Sequence, residues 1–297
     1  MSALRPVAAV PARLQATAET IAAVTEAQLA GAINARVPSA RPRLLTKSCK
    51  YPDLARYLAM EYNVSYSTAI RPTATPYAQA LRRLRALDWQ PRAVFDIGAF
   101  HGHWSKMAAG IFPNAEYVLF EANADNRPQI SPTGYRHFFV ALSSEDGAQR
   151  PFFIAKNVMA TGASLYLENT FCFAGDNTIT REVTTTTLDA MVEVNGLNLP
   201  DLIKLDVQGA ELDVLAGGKK TVARCDVLMV ETSILPYNKG APLFADVLSA
   251  VDKLGFKCVD VCEILRLRES GALVHIDLVF VRDALYERYC AAAGLTR

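Results

Sequence analysis

The sequence lacks a strong charge of either sign. Thirty-one Lys and Arg face thirty Asp and Glu over 297 residues, for a net charge of +1. That balance provides no global attraction to nucleic acid or to an acidic membrane. There is also no run of eighteen apolar residues, so no membrane-spanning helix is expected. The six cysteines (Cys49, Cys172, Cys225, Cys258, Cys262 and Cys290) are scattered and form no CxxC pair. Cys258 and Cys262 have no further His or Cys at zinc-site spacing, and the thiols read as the reduced ones of an intracellular protein. The N-terminus has no basic-then-apolar leader, so the expected location is the cytoplasm. Missing too is GxGxxG, the turn that seats a dinucleotide pyrophosphate.

What is present is the composition of a globular protein, 51% hydrophobic and 21% charged. The length fits one large domain or a domain with an extra segment. Residues 1–90 read as an N-terminal helical extension. Leu14, Ala18, Ile21, Val24, Leu29 and Ile33 recur at near-helical intervals, and "YAQALRRLRAL" is the strongest helical piece of the stretch from Tyr51 to Trp89. Met1 to Lys50 carries seven Arg or Lys against two Glu, which reads as a surface arm. An isolated amphipathic helix cannot form a core, so the first one is expected to pack on the main domain or to join two copies in a homodimer.

From Arg92 onward, strand and helix signals alternate. "AVFDIG", "AEYVLFEAN", "YRHFFVALS", "DLIKLDV" and "DVLMVET" are apolar runs, and most end in a carboxylate. "HWSKMAAGIF", "GAELDVLAGG" and "LFADVLSAVDKLGF" read as helices between them, and "KCVDVCEI" and "LVHIDLVFV" as closing strands. Residues 91–297 therefore read as an α/β domain of Rossmann-like type, a doubly wound and mostly parallel sheet. Gln149 to Thr187 breaks the rhythm. It is rich in aromatic and β-branched residues without a helical pattern, so antiparallel strands are expected there, overhanging the ligand crevice at the strand ends.

The turn "VFDIGAFHGHWS" holds Gly98 and Gly102 after a strand, which lets a ligand approach the backbone. Asp96 would repel a pyrophosphate and suits a cationic group instead. Glu121, at the end of the next strand, is placed to accept from two ribose hydroxyls. A ribose joined to a cationic amino-acid portion describes S-adenosylmethionine.

The blocks "VFDIGAFHG", "VLFEAN", "VALSS" and above all "LIKLDVQGAELDVLAGG" resemble the FkbM family of S-adenosylmethionine-dependent methyltransferases, from about Arg92 to Arg282. The resemblance implies the class I methyltransferase fold and S-adenosylmethionine as cofactor. It implies a cofactor site of Asp96, Gly98, Ala99, Phe100, Gly102, Glu121, Ala122, Leu142, Ser143 and Asp206. Two positions depart from the family's usual pattern: Phe100 stands where Asn is usual, and Gln208 where the first Glu of D-V-E-G-A-E is usual. Relatives of this type methylate hydroxyl oxygens of sugars or natural products, so a small hydroxylated acceptor is the expected partner. The competing reading is a cofactor-binding regulatory or scaffold protein of the same fold without methyl transfer. An NAD-type oxidoreductase is opposed by Asp96 and by the absent fingerprint. A nucleic-acid methyltransferase is opposed by the absence of a basic stripe.

Methyl transfer to an alcohol needs alignment and a group that receives the proton. Asp206 is the first candidate, at a strand end beside the crevice, although an acid there also caps a helix. Glu231 ends the next strand. His275 opens the last one and titrates near neutrality when unperturbed. Asp206, Glu231 and Asp277 offer oxygens to a divalent cation, but scattered strand-end acids more often bind none, and no metal is expected. The aromatics of the insertion, Tyr166 among them, form either an acceptor wall or the small core of a hairpin.

Overall fold

The computed structural model describes residues 76–156, 162–267 and 270–295. The helix expected around Leu14 to Ile33, and with it the dimer contact, lies outside the described residues.

Helix α1 (Pro76–Ala86) leads into strand β1 (Ala93–Ile97), and α2 (His103–Ala109) connects it to β2 (Glu116–Glu121). A short helix α3 (Arg127–Ile130) precedes β3 (Arg136–Phe139) and the two-residue β4 (Ala141–Leu142). Strands β5 (Gln149–Ala155) and β6 (Thr178–Thr186) follow, then α4 (Leu188–Asn195), β7 (Leu202–Leu205), α5 (Glu211–Gly217) and α6 (Lys219–Val222). The chain closes with β8 (Val227–Ser233), α7 (Phe244–Lys253), β9 (Lys257–Arg266), β10 (Leu273–Val281) and α8 (Asp283–Ala292).

Seven strands form one sheet in the order β3-β2-β1-β7-β8-β10-β9. The pairs from β3 to β8 are parallel, and β10 runs antiparallel to both of its neighbours. This is the doubly wound, mostly parallel α/β sheet. Strand order reverses beside β1, with β2 on one side and β7 on the other, and ligands bind outside the carboxyl ends of strands at such a switch point.

Helices cover both faces, which is why β1 and β8 are buried along their whole length rather than alternating. One core cluster joins Val94, Leu202, Val279 and Val281 to α1, α2 and α8. The other joins Phe95, Ile97, Ile203, Val230 and Phe280 to α4, α5 and α7. Helix α1 falls within the segment read as the extension, yet its Leu81 and Leu84 are fully buried in the first of these cores.

The inserted strands are real and antiparallel: β5 pairs with β6 in register from Gln149↔Thr184 to Ala155↔Thr178. Two features differ from the expectation. "YRHFFVALS" is two strands, because the chain leaves the main sheet at Val140 and β4 joins β6 instead. "ASLYLENTFCF" forms no strand: it contributes the isolated bridges Phe153↔Ser164 and Glu168↔Asn238 and a 3-10 turn at Phe171–Phe173. A small third core of Ala141, Phe152, Ile154, Leu165 and Ala210 fixes the insertion over the strand ends. No helix among the described residues is long and apolar enough to cross a membrane.

Candidate active site

The carboxyl ends of β1 and β7 touch. Gly98 turns out of β1 with φ +77°, and a Cβ there would collide with the carbonyl oxygen of Asp206. Only glycine fits a turn pressed against its neighbour in this way. The Asp206 N–H donates to the Ile97 carbonyl at 3.0 Å, locking the two turns together.

Beside this contact, the end of β2 supplies Glu121. The backbone N–H of Phe100 donates to its Oε2 at 2.7 Å and that of Asn123 to its Oε1 at 2.7 Å. Burial pushes the Glu121 carboxyl up to about 7 despite these donors. Each oxygen keeps a lone pair for a further donor. Phe100 itself sits at φ +50°, with its ring stacked on His101 at 3.6 Å between centroids.

A cavity of about 170 Å³ opens here. Gly98, Phe100, Glu121 and Ala122 line it from the first two strand ends, Leu142 from β4, and Asp206 and Gln208 from the turn after β7. The insertion adds Phe152, Ala163, Ser164 and Leu165. The insertion thus walls the same cavity as the glycine turn. Tyr166 is not part of that wall: its hydroxyl donates to Asp213 of α5 at 3.0 Å, which ties the insertion down.

Four residues assigned to the cofactor by sequence lie behind the cavity rather than in its lining. Ala99 packs in the core of α1 and α2. Gly102 starts α2 at φ +73° and approaches Leu119. Ser143 donates its N–H to Thr186, and its carbonyl lies against Gly217 of α5. Asp96 is fully buried, accepting from Ser105 Oγ at 2.6 Å. The cation facing Asp96 belongs to the chain itself: Lys204 Nζ stands 3.4 Å from its Oδ1.

Lys204 is the functional residue that the sequence did not disclose. A lysine inside "LIKL" reads as a strand residue whose stem lies along the core while its head reaches out. Here its side chain is 7% exposed, and Nζ also meets Asp206 Oδ2 at 3.0 Å and the Gly98 carbonyl at 3.1 Å. Burial works against its charge, but Asp206 and Asp96 outweigh burial and hold the ammonium well above its ordinary range. Burial would likewise raise Asp206, and the Lys204 charge instead holds that carboxyl well below the usual carboxylate range.

Asp206 continues into a second set of polar groups on β8 and β10. Gln208 Nε2 donates to Asp206 Oδ1 at 2.8 Å and to Glu231 Oε2 at 2.5 Å. Glu231 Oε1 accepts from the Tyr237 hydroxyl at 2.7 Å and lies 2.8 Å from His275 Nδ1. Burial raises the Glu231 carboxyl, with the His275 charge opposing it. Burial would lower His275, but Glu231 outweighs it and lifts the imidazole to about 9. His275 Nδ1 thus lies against Glu231, and the raised imidazole favours donation to that carboxyl group.

Asp277 sits opposite Glu231 across the β8–β10 pair, buried, with Oδ1 lacking a hydrogen-bond partner, and burial raises it to about 7. Among the described residues no three His, Cys, Asp or Glu side chains are grouped to hold a metal ion, so Asp206, Glu231 and Asp277 do not form such a site.

Residues 96–258, more than half of the chain, match the model of the methyltransferase FkbM domain. A curated relative, the 2-O-methyltransferase NoeI of Sinorhizobium fredii, is 28% identical over 204 residues, covering 61% of this chain and 82% of that protein. Among solved structures, the precorrin-6y C5,15-methyltransferase of Geobacter metallireducens aligns with a TM-score of 0.38 at 13% identity, over 73% of this chain and 92% of that one. The magnesium protoporphyrin IX methyltransferase of Synechocystis, solved with bound S-adenosylmethionine, aligns at 0.36 and 15% identity, over 70% and 80%. The matched span holds both touching turns together with Asp96, Glu121, Asp206 and Glu231, and the chain belongs to the FkbM methyltransferase family.

Proposed function

We propose that this chain transfers the methyl group of S-adenosylmethionine to a hydroxyl oxygen of a small hydroxylated molecule, a sugar or a natural product. The observation that carries the reading is a charge left over at the cavity. Three carboxyl groups, Asp96, Asp206 and Glu231, face two basic side chains, Lys204 and His275. Of the three, Asp206 alone borders the cavity, with its side chain 32% exposed, while Glu121 borders it from the β2 end. A ligand with hydroxyls at one end and a positive charge at the other complements that pair, and Gly98 lines the cavity between them. S-adenosylmethionine supplies an electrophilic methyl group. The 2-O-methyltransferase relative supports oxygen as the receiving atom.

The residues of the chain divide the remaining work. Asp206, ionised and facing the cavity, accepts the hydrogen bond of the acceptor hydroxyl and so aims its lone pair. An alcohol oxygen becomes strongly acidic as it gains a methyl group, so a carboxylate held at low proton affinity can still receive its proton late in the transfer. Tyr237 and His275 hold Glu231 from behind, and Gln208 bridges Glu231 to Asp206.

The test is incubation of methyl-labelled S-adenosylmethionine with a panel of glycosides and polyols, with the product located by NMR. The reading expects an O-methyl ether. Methyl on nitrogen or carbon contradicts the hydroxyl assignment, and tight cofactor binding without turnover on any acceptor favours the regulatory alternative.

A further inference from the structure

Gln208 is held more firmly than an ordinary loop residue. Its backbone is left-handed, φ +56°, a conformation that strains a non-glycine residue and persists only where the surroundings impose it. The surroundings here do impose it. Its carbonyl accepts from Ser164 Oγ at 2.8 Å and from Asn238 Nδ2 at 2.5 Å. On either side, the N–H groups of Val207 and Gly209 donate to Glu211 at 3.0 Å each. Three separate elements, namely the insertion, the loop after β8 and the start of α5, therefore converge on one turn. What the turn presents is a single uncharged amide group between two carboxylates, Asp206 and Glu231.

We infer that Gln208 is a positioning residue: its NH₂ group donates one hydrogen to each carboxylate, so that both stay ionised at close range and Asp206 alone faces the cavity. The inference rests on the functional reading above only for what Asp206 is used for. The clamp itself stands on geometry. Two carboxylates at such range normally share a proton, because two like charges cannot both be held without compensation. An amide supplies two donors and no charge, which is what this place requires. A glutamate in its place would bring a third carboxylate to a cluster already crowded with acids. The groups facing the pair are Lys204 and Asp96 from β7 and β1, Tyr237 after β8, His275 and Asp277 from β10, Glu263 from β9 and Glu211 from α5.

The test uses the full-length protein labelled with ¹³C at the Asp and Glu carboxyl carbons, titrated by NMR from pH 5 to 9, with Asp206→Asn assigning the signal. Gln208→Gly suits the left-handed backbone and removes only the amide, so it isolates the clamp from folding. In the natural protein the Asp206 signal stays that of an ionised carboxylate throughout. In Gln208→Gly the Asp206–Glu231 pair takes up a proton with a midpoint at least about one pH unit higher than in the natural protein. Gln208→Glu shows the same uptake with an added titrating carboxyl. Unchanged titration in Gln208→Gly, with equal or greater thermal stability, would reduce Gln208 to a loop residue and overturn the inference. The titration needs no ligand. Calorimetry of S-adenosylmethionine on the natural protein therefore tests the functional reading separately, and a failure there leaves the clamp result intact.

Discussion

At the scale of single residues, the buried acids of this protein have different partners and so different chemistry. Asp277 has an orphan oxygen and a carboxyl raised to about 7 by burial alone. Its folded value exceeds its unfolded one, so its contribution favours the native state at low pH and is lost as pH rises from about 4 through 7. Asp277→Asn should therefore raise the melting temperature by several degrees at pH 8 and by almost nothing near pH 4, a difference that thermal scans at the two pH values measure. Asp206 lies at the opposite extreme, kept ionised by Lys204. With a turned-over acceptor in hand, Asp206→Asn should lower kcat by about 10²–10⁴, the usual worth of a positioned proton-transfer group. Full kcat in that variant would remove Asp206 from the chemistry. The strand-end acids were legible in the sequence because each closes an apolar run. Lys204 was not, because a lysine's surroundings are set by neighbouring strands, and Asp96 and Asp206 meet it only once β1 and β7 lie side by side.

At the scale of elements, the insertion is held by a few polar bonds above a small core. Ser164 donates to the carbonyls of Val207 and Gln208, and Tyr166 to Asp213. Ser164→Ala leaves the Val207 carbonyl without that donor, a loss of the kind that costs about 1–3 kcal/mol when buried. Hydrogen exchange should then quicken across residues 162–177 while β1 and β8 keep their protection. Equal exchange in both proteins would mean that the insertion is fixed by its apolar contacts alone. The antiparallel pair β5–β6 was readable from its aromatic and β-branched composition. The departure of β4 from the main sheet was not, because "FFVALS" is apolar throughout and nothing in it marks where one sheet gives way to the other. Composition also suggested Tyr166 as a cavity wall, whereas its hydroxyl found a carboxylate on α5.

At the scale of the whole molecule, the family match and the folding unit differ. The match runs over residues 96–258, whereas α1 and α8, which cover one face of the sheet, and strand β10 lie outside it. Leu81 of α1 is fully buried against that face, and Leu81→Ala should cost about 2–5 kcal/mol in a denaturant titration. A chain trimmed to residues 96–258 would lose most of β1, nearly all of β9 and the whole of β10, and should fail to show a cooperative transition. The alternation of strands and helices made the doubly wound sheet legible, but it gave no sign that the last strand would enter antiparallel between two others. The most direct test of the account concerns its cavity. Calorimetric titration of S-adenosylmethionine into the natural protein and Glu121→Gln should give one site per chain, weakened at least about tenfold in the variant by loss of a charge-assisted hydrogen bond. No binding to the natural protein, or equal affinity in both, would contradict it.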